Sequence, residues 1–178
     1  MAVIVYRGVK YEEALQVIAR QRYEQKEGRT FLHGIRAKAV FGQGVYLVSN
    51  PQVAAEYAYC HAEVGWDKGA ILKQMLDTEE MMSLTSVYGE NELRQEALLW
   101  EYTHSELLRI HTIMTPSEWQ MWTGERIRGY IQDRGYHGIV YPLSDELTYY
   151  VSYQPENQIA DISLYGYFEQ KEREKRYT

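Results

Sequence analysis

The chain has 178 residues, 19 basic and 25 acidic, for a net charge of −6; the length suits one domain able to bury roughly 70% of its unfolded surface. The acidic balance argues against a nucleic-acid binder that works by neutralising phosphates, while leaving room for a local basic groove. The single cysteine, Cys60, excludes an internal disulfide framework and a CxxC zinc site, and suits a reducing, cytoplasmic setting.

The first run, MAVIVYRGV, carries neither a basic region nor a long apolar core, so no cleaved signal is expected, and no later stretch is apolar enough to span a membrane. Residues 3–6 (VIVY) predict a strand that ends in Arg7-Gly8. Residues 11–23 predict a helix, with Leu15, Ile18 and Ala19 at helical spacing and Glu12 and Glu13 in the first turn. Residues 25–38 are polar and glycine-punctuated and predict a loop able to cover a cleft. Residues 41–48 predict the second strand, and residues 51–63 the second helix, opened by Ser49 or Asn50 as N-cap and Pro51 at the first helical position.

Residues 70–76 (AILKQML) predict a third strand, with a helix as the alternative. Helices are expected over 93–109 and 118–133, the second introduced by Thr115-Pro116-Ser117. Residues 135–141 predict a turn into a strand, residues 147–153 (LTYYVSY) a strand bounded by polar turns, and residues 159–168 a closing strand. A charged tail follows over 169–178. There is no internal repeat and no sign of a second domain, so the fold class expected is α+β, with helices set around a split or mixed sheet.

Chemistry is concentrated in FGQGVYLVSNPQVAAEYAYC, residues 41–60. Gly42 and Gly44 permit close approach of backbone to a ligand, and Tyr46 and an inward-facing Tyr57 offer two aromatic faces between which a flat ring would stack. The plainer alternative is that both tyrosines fill core space, since the chain holds 17 tyrosines against 3 phenylalanines. Arg7-Gly8 and the Tyr149-Tyr150 segment are the other features a nucleotide site would use. His104 and His111 stand seven apart, which does not suit the i, i+4 pairing of a helical metal site, and no metal is expected. Cys60 and His61 are helix neighbours that point in different directions, so no Cys-His pair is expected. Trp100, Trp119 and Trp122 are read as core, with a partner-binding patch as the alternative.

In these segments the chain resembles the ADP-ribosyltransferase superfamily, in particular the poly(ADP-ribose) polymerase-like branch and related bacterial and phage enzymes. Residues 41–60 look like that branch's glycine-glycine-tyrosine strand and following helix. VIVYRGV resembles the first-strand motif, with Arg7 closer to the toxin-like branch. GERIRGYIQDRGYHGIVY and YYVSYQPENQIADISL resemble the late helix, turn and strand and the final nucleotide strand.

The resemblance implies an ADP-ribosyltransferase-like, NAD-binding domain over 1–168 and mono-ADP-ribosylation of a macromolecule, protein foremost, with release of nicotinamide. NAD would be the co-substrate, Arg7 would bond a ribose or phosphate oxygen, and Gly8 would pair through its backbone with the nicotinamide carboxamide. Gly44 would let the backbone approach, and Tyr46 and Tyr57 would sandwich the nicotinamide ring. The family's catalytic glutamate aligns with Tyr149, Leu147 stands where the toxin-like branch has Glu or Gln, and Ala54 replaces a nicotinamide-binding serine. Glu146 is the nearest carboxylate, on the opposite face from Tyr149 by strand alternation unless a bulge re-aims it. Three outcomes stay open: transfer without the glutamate, catalysis by a re-aimed Glu146, or an inactive module that binds NAD, a nucleotide or a protein. An NAD glycohydrolase using water as acceptor is a further alternative.

Overall fold

A computed structural model describes residues 1–24, 39–62 and 68–169, without the side chains of residues 60–62. The expected covering loop at 25–38, the end of the charged tail at 170–178 and the Cys60 and His61 side chains lie outside them.

The chain begins with strand β1 (Ala2–Lys10), whose β-branched run suits a buried sheet position, and turns directly into helix α1 (Tyr11–Arg20). α1 stops short of Tyr23 because Gln21 adopts a left-handed backbone, φ 53°. The Gln21 amide then takes both backbone groups of Ile162, donating to its carbonyl (2.9 Å) and accepting from its N–H (3.0 Å), which ties the helix end to the last strand. Strand β2 (Val45–Val48) leads into helix α2 (Pro51–Ala62). Of the two candidate caps, Asn50 is the one used: its Oδ1 accepts from Gln52 N–H at 2.8 Å. Ser49 instead accepts from Thr148 N–H through its hydroxyl (2.9 Å).

Strands β3 (Lys68–Asp77) and β4 (Met81–Ser83) follow, then helices α3 (Glu90–Glu101), α4 (His104–Ile113) and α5 (Pro116–Asp133). The single helix expected over 93–109 is two helices. The chain breaks at Tyr102–Thr103, because the Thr103 hydroxyl accepts from Glu106 N–H while the Glu106 carboxylate accepts from Thr103 N–H, a reciprocal cap that restarts the helix. Strands β5 (Gly138–Pro142) and β6 (Thr148–Ser152), the short helix α6 (Pro155–Gln158) and strand β7 (Ile159–Glu169) complete the chain. Glu169, expected to open the tail, ends β7 and pairs with Lys68 at 2.9 Å.

The fold class is α+β: one seven-stranded mixed sheet in the order β4-β5-β6-β2-β1-β3-β7, parallel between β4 and β5 and antiparallel elsewhere. Alternation sorts the strands onto two faces. Val5, Arg7 and Val9 of β1 lie opposite Gln74, Leu72 and Ala70 of β3, and α1 covers this first face through Ala14 and Val17. The second face has two helical covers. α2 lies over Val48 and Ile71 through Ala54, while α3 and α5 lie over Ile139 and Val151 through Leu93, Ala97, Ile127 and Ile131. Burial of these aliphatic side chains, at about 1.5–3 kcal/mol each, is the main force holding the layers together.

The core reading of the tryptophans does not hold: none of the three is in a core cluster, and Trp119 and Trp122 are only half-buried. Trp119 and Trp122 stack at 5.4 Å, but Trp100 is 67% exposed, its indole lying beside the Arg134 guanidinium on the surface. Among the described residues no helix is long and apolar enough to cross a membrane, and no cluster of three or more metal-ligating side chains occurs.

Candidate site where strands β1 and β2 part

The strands that carry Arg7, Tyr46 and Tyr149 are neighbours: β6, β2 and β1 stand side by side in the sheet. The ladder between β1 and β2 consists, among the described residues, of one pair, Tyr6 opposite Val48. Beyond it the strands part, and the Arg7 side chain fills the divergence by donating from Nη1 to the Tyr46 carbonyl at 2.8 Å. Its guanidinium also lies 5.4 Å from the Tyr23 ring centre. A buried charge is tolerated only when such partners replace water, and Arg7 is 3% exposed.

Gly8, next along β1, sits directly under α2. A Cβ there would stand 2.1 Å from the Ala54 carbonyl oxygen and 2.7 Å from Ala58 N, so only glycine lets the helix lie this close to the strand. Ala54 is buried at this contact. The glycines flanking Gln43 have comparable roles. Gly42 has φ 82° and packs against Gly124 of α5, and a Cβ on Gly44 would meet the Ser152 carbonyl and Val151 at 2.9 Å. The close approaches at Gly8, Gly42 and Gly44 are therefore to the protein's own elements.

Tyr46 points to the second face. Its hydroxyl donates to the Gly42 carbonyl (2.6 Å) and accepts from Phe41 N–H (3.1 Å), fixing the turn before β2. On the same face Tyr149 lies opposite Val48, one diagonal step from Tyr46 in the β2–β6 ladder. Tyr57 does not point inward as expected but is 47% exposed, because it lies on the flank of α2 while Ala54 and Ala58 take the buried side. From there it meets Tyr149, with ring centres 6.4 Å apart, planes at 83° and hydroxyl oxygens 3.4 Å apart. The folded chain therefore sets Tyr46, Tyr149 and Tyr57 on one side of the sheet, between the α2 cover and the α3–α5 cover, and Arg7 on the other.

Glu146 is not in strand β6. It is exposed in the β5–β6 hairpin turn, its N–H donating to Ser144 Oγ at 3.3 Å, so strand alternation does not govern its direction. Leu147 closes that turn by donating to the Ser144 carbonyl (3.4 Å) and packs with Val48 and Tyr149.

Sequence reasoning missed two supports of the site. The Tyr153 hydroxyl donates to the Phe41 carbonyl at 2.7 Å, and burial pushes that phenol well above its ordinary value of 10, keeping it a neutral donor. Gly124, inside α5, lets the helix approach the same turn, since a Cβ there would lie 2.4 Å from the Ala39 carbonyl. A glycine within a helical pattern was the available signal.

Chemically, the site offers the rings of three tyrosines and the hydroxyls of Tyr57 and Tyr149 beside a sheet opening braced by a buried cation. Such rings suit a flat heteroaromatic ligand. Compared with known proteins, the chain matches no family model, no curated protein and no solved structure.

Proposed function

We propose that the protein is an NAD-dependent mono-ADP-ribosyltransferase that releases nicotinamide and passes ADP-ribose to a macromolecular acceptor, protein foremost. The observation that carries this reading is the adjacency of β6, β2 and β1: the segments that carry Tyr149, Tyr46 and Arg7, three of the four with the family resemblance, are far apart in sequence and contiguous in the sheet. On this reading, the parting of β1 from β2 is the split of an ADP-ribosyltransferase-like core.

Nicotinamide would rest against Tyr57 and Tyr149, whose paired hydroxyls suit a ribose hydroxyl. Tyr46 would form the floor, and Arg7 would act through the Tyr46 main chain that it holds. Breaking the bond from ribose C1 to nicotinamide builds positive charge on the sugar, as in glycoside hydrolysis, and positioning and fixed electrostatics are what help it.

One observation favours a second reading, a module that binds NAD without turnover: Tyr149 occupies the glutamate's place, and Glu146 sits in an exposed turn outside the strand. Incubation with labelled NAD, with and without cell lysate, separates the outcomes. Label that appears on macromolecules with lysate, together with free nicotinamide, supports transfer. Nicotinamide without label means hydrolysis, and neither product means a binding module or an unrelated function.

A further inference from the structure

The helices leave part of the second face open. α2 lies over the row of Gly8 and Ile71, and α3 with α5 lie over the β5–β6 side. Beyond the α2 row, β1, β3 and β7 carry two more: Tyr6, Lys73 and Ser163, then Ile4, Met75 and Ala160. Residues directly opposed in a ladder share a face, so these six side chains form one patch. Tyr165 joins it, its ring centre 5.1 Å from that of Tyr6. Ile4 is 47% exposed and Tyr165 54%, and Lys73, Met75 and Tyr6 are half-buried.

Lys73 stands at the centre of this face. Among the described residues its ammonium has no ion pair and no hydrogen bond, and the Ser163 hydroxyl beside it donates to the Lys73 carbonyl (3.4 Å). Two carboxylates stand nearby. Asp77, two rows away, holds the Met1 amine at 3.4 Å, and Asp161, in the β7 bulge at φ 54°, makes no ion pair among the described residues. A half-buried ammonium framed by tyrosine, isoleucine and methionine is stabilised when an acid docks on it, because nothing else there compensates its lost hydration.

We propose that this face docks a short acidic segment of a partner protein, with its carboxylate on Lys73 and flanking apolar side chains on Ile4, Met75 and the Tyr6–Tyr165 pair. Each position on a sheet face takes up about 33 Å², so six cover roughly 200 Å². A stable dimer needs about 800 Å² per partner, so the patch suits a segment and not a second copy. Nucleic acid is disfavoured, since the face holds one cation in a chain of net charge −6 and such binding rests on several phosphate contacts. The Lys73 row continues through Tyr6 and Val48 to Tyr149, which puts the docked segment on the tyrosine side of the sheet. The assignment is independent of the transferase reading, and its test uses no NAD.

The probe is a capped pentapeptide, Leu-Phe-Glu-Asp-Leu, titrated into the full chain beside its charge-reversed form, Leu-Phe-Lys-Lys-Leu, and a thymidine hexanucleotide. The backbone amide signals of Tyr6, Lys73, Ser163 and Tyr165 are followed by NMR. The expected result is saturable shifts clustered at these four residues with the acidic peptide, and at least tenfold weaker binding of the basic one. Lys73→Glu, with its melting temperature unchanged, is expected to reverse that preference, and Tyr165→Ser to weaken the acidic peptide at least threefold. No saturable shift, equal affinity for the two peptides, or full affinity in Lys73→Glu would overturn the assignment. So would tighter binding of the hexanucleotide, or a dimer in sedimentation that Lys73→Glu splits, which would name a nucleic acid or a second copy as the occupant.

Discussion

Tyr46 holds the turn from Phe41 to Gly42 through two hydrogen bonds of one hydroxyl, and both partners are buried. Tyr46→Phe leaves a buried N–H and a buried carbonyl unpaired while keeping the ring, so we predict a loss of about 1–3 kcal/mol in urea unfolding. A change within a few tenths of a kcal/mol would show that the turn is held by other means. Gly8→Ala is predicted to be more severe. Its Cβ would meet helix backbone, which cannot rotate away as a side-chain end can, so α2 must lift from β1. The expected cost is at least about 3 kcal/mol, the upper end of ordinary overpacking, read as a lowered unfolding midpoint. These roles were only partly legible in sequence. The glycines announced close approach, but what approaches them is set by which elements fold over them.

At the scale of elements, α4 and α5 begin with the same device. Thr103 with Glu106, and Thr115 with Glu118, exchange cap bonds, each carboxylate accepting a backbone N–H at 2.8 Å. The backbone bond from each threonine, then its side-chain bond, holds the Glu106 and Glu118 carboxyls below their ordinary value of 4.5. A carboxyl depressed in the folded state stabilises fully above its unfolded value, and that contribution is lost as pH falls through the folded value. We therefore predict that the helical circular-dichroism signal weakens as pH drops below about 4.5, and that the Glu106→Gln, Glu118→Gln double variant loses much of this dependence, because glutamine still caps but does not titrate. Identical acid profiles for the two proteins would contradict it.

Caps are local, which is why Pro51 after Asn50 and Thr115-Pro116 were readable as helix starts. The Thr103-x-x-Glu106 pattern was equally readable, but the apolar run from Leu93 onward continues across it and masked the break. β4 has three residues, too few for a period of two to declare itself.

Over the whole molecule, the β-rich segments were visible from their composition, but their order was not. Sheet neighbours are chosen by long-range pairing, as with Tyr46 opposite Val151 and Arg7 opposite Leu72. That pairing also decided the site's arrangement. Register with β3 puts Arg7 on the α1 side, away from the tyrosines it was expected to join, and leaves it to reach only the Tyr46 main chain. That position 149 holds a tyrosine and not a carboxylate was legible from sequence, whereas the exposed turn that holds Glu146 was not.

The central claim is that NAD binds where β1 and β2 part, against Tyr57 and Tyr149. The most direct measurement is a calorimetric titration of NAD into the wild-type chain and into Tyr57→Ala, whose side chain is 47% exposed and whose loss leaves the core intact. The account predicts one NAD bound per wild-type chain and at least tenfold weaker binding in the variant, with an unchanged melting temperature. No binding to the wild type, or equal affinity in the two proteins, would contradict it.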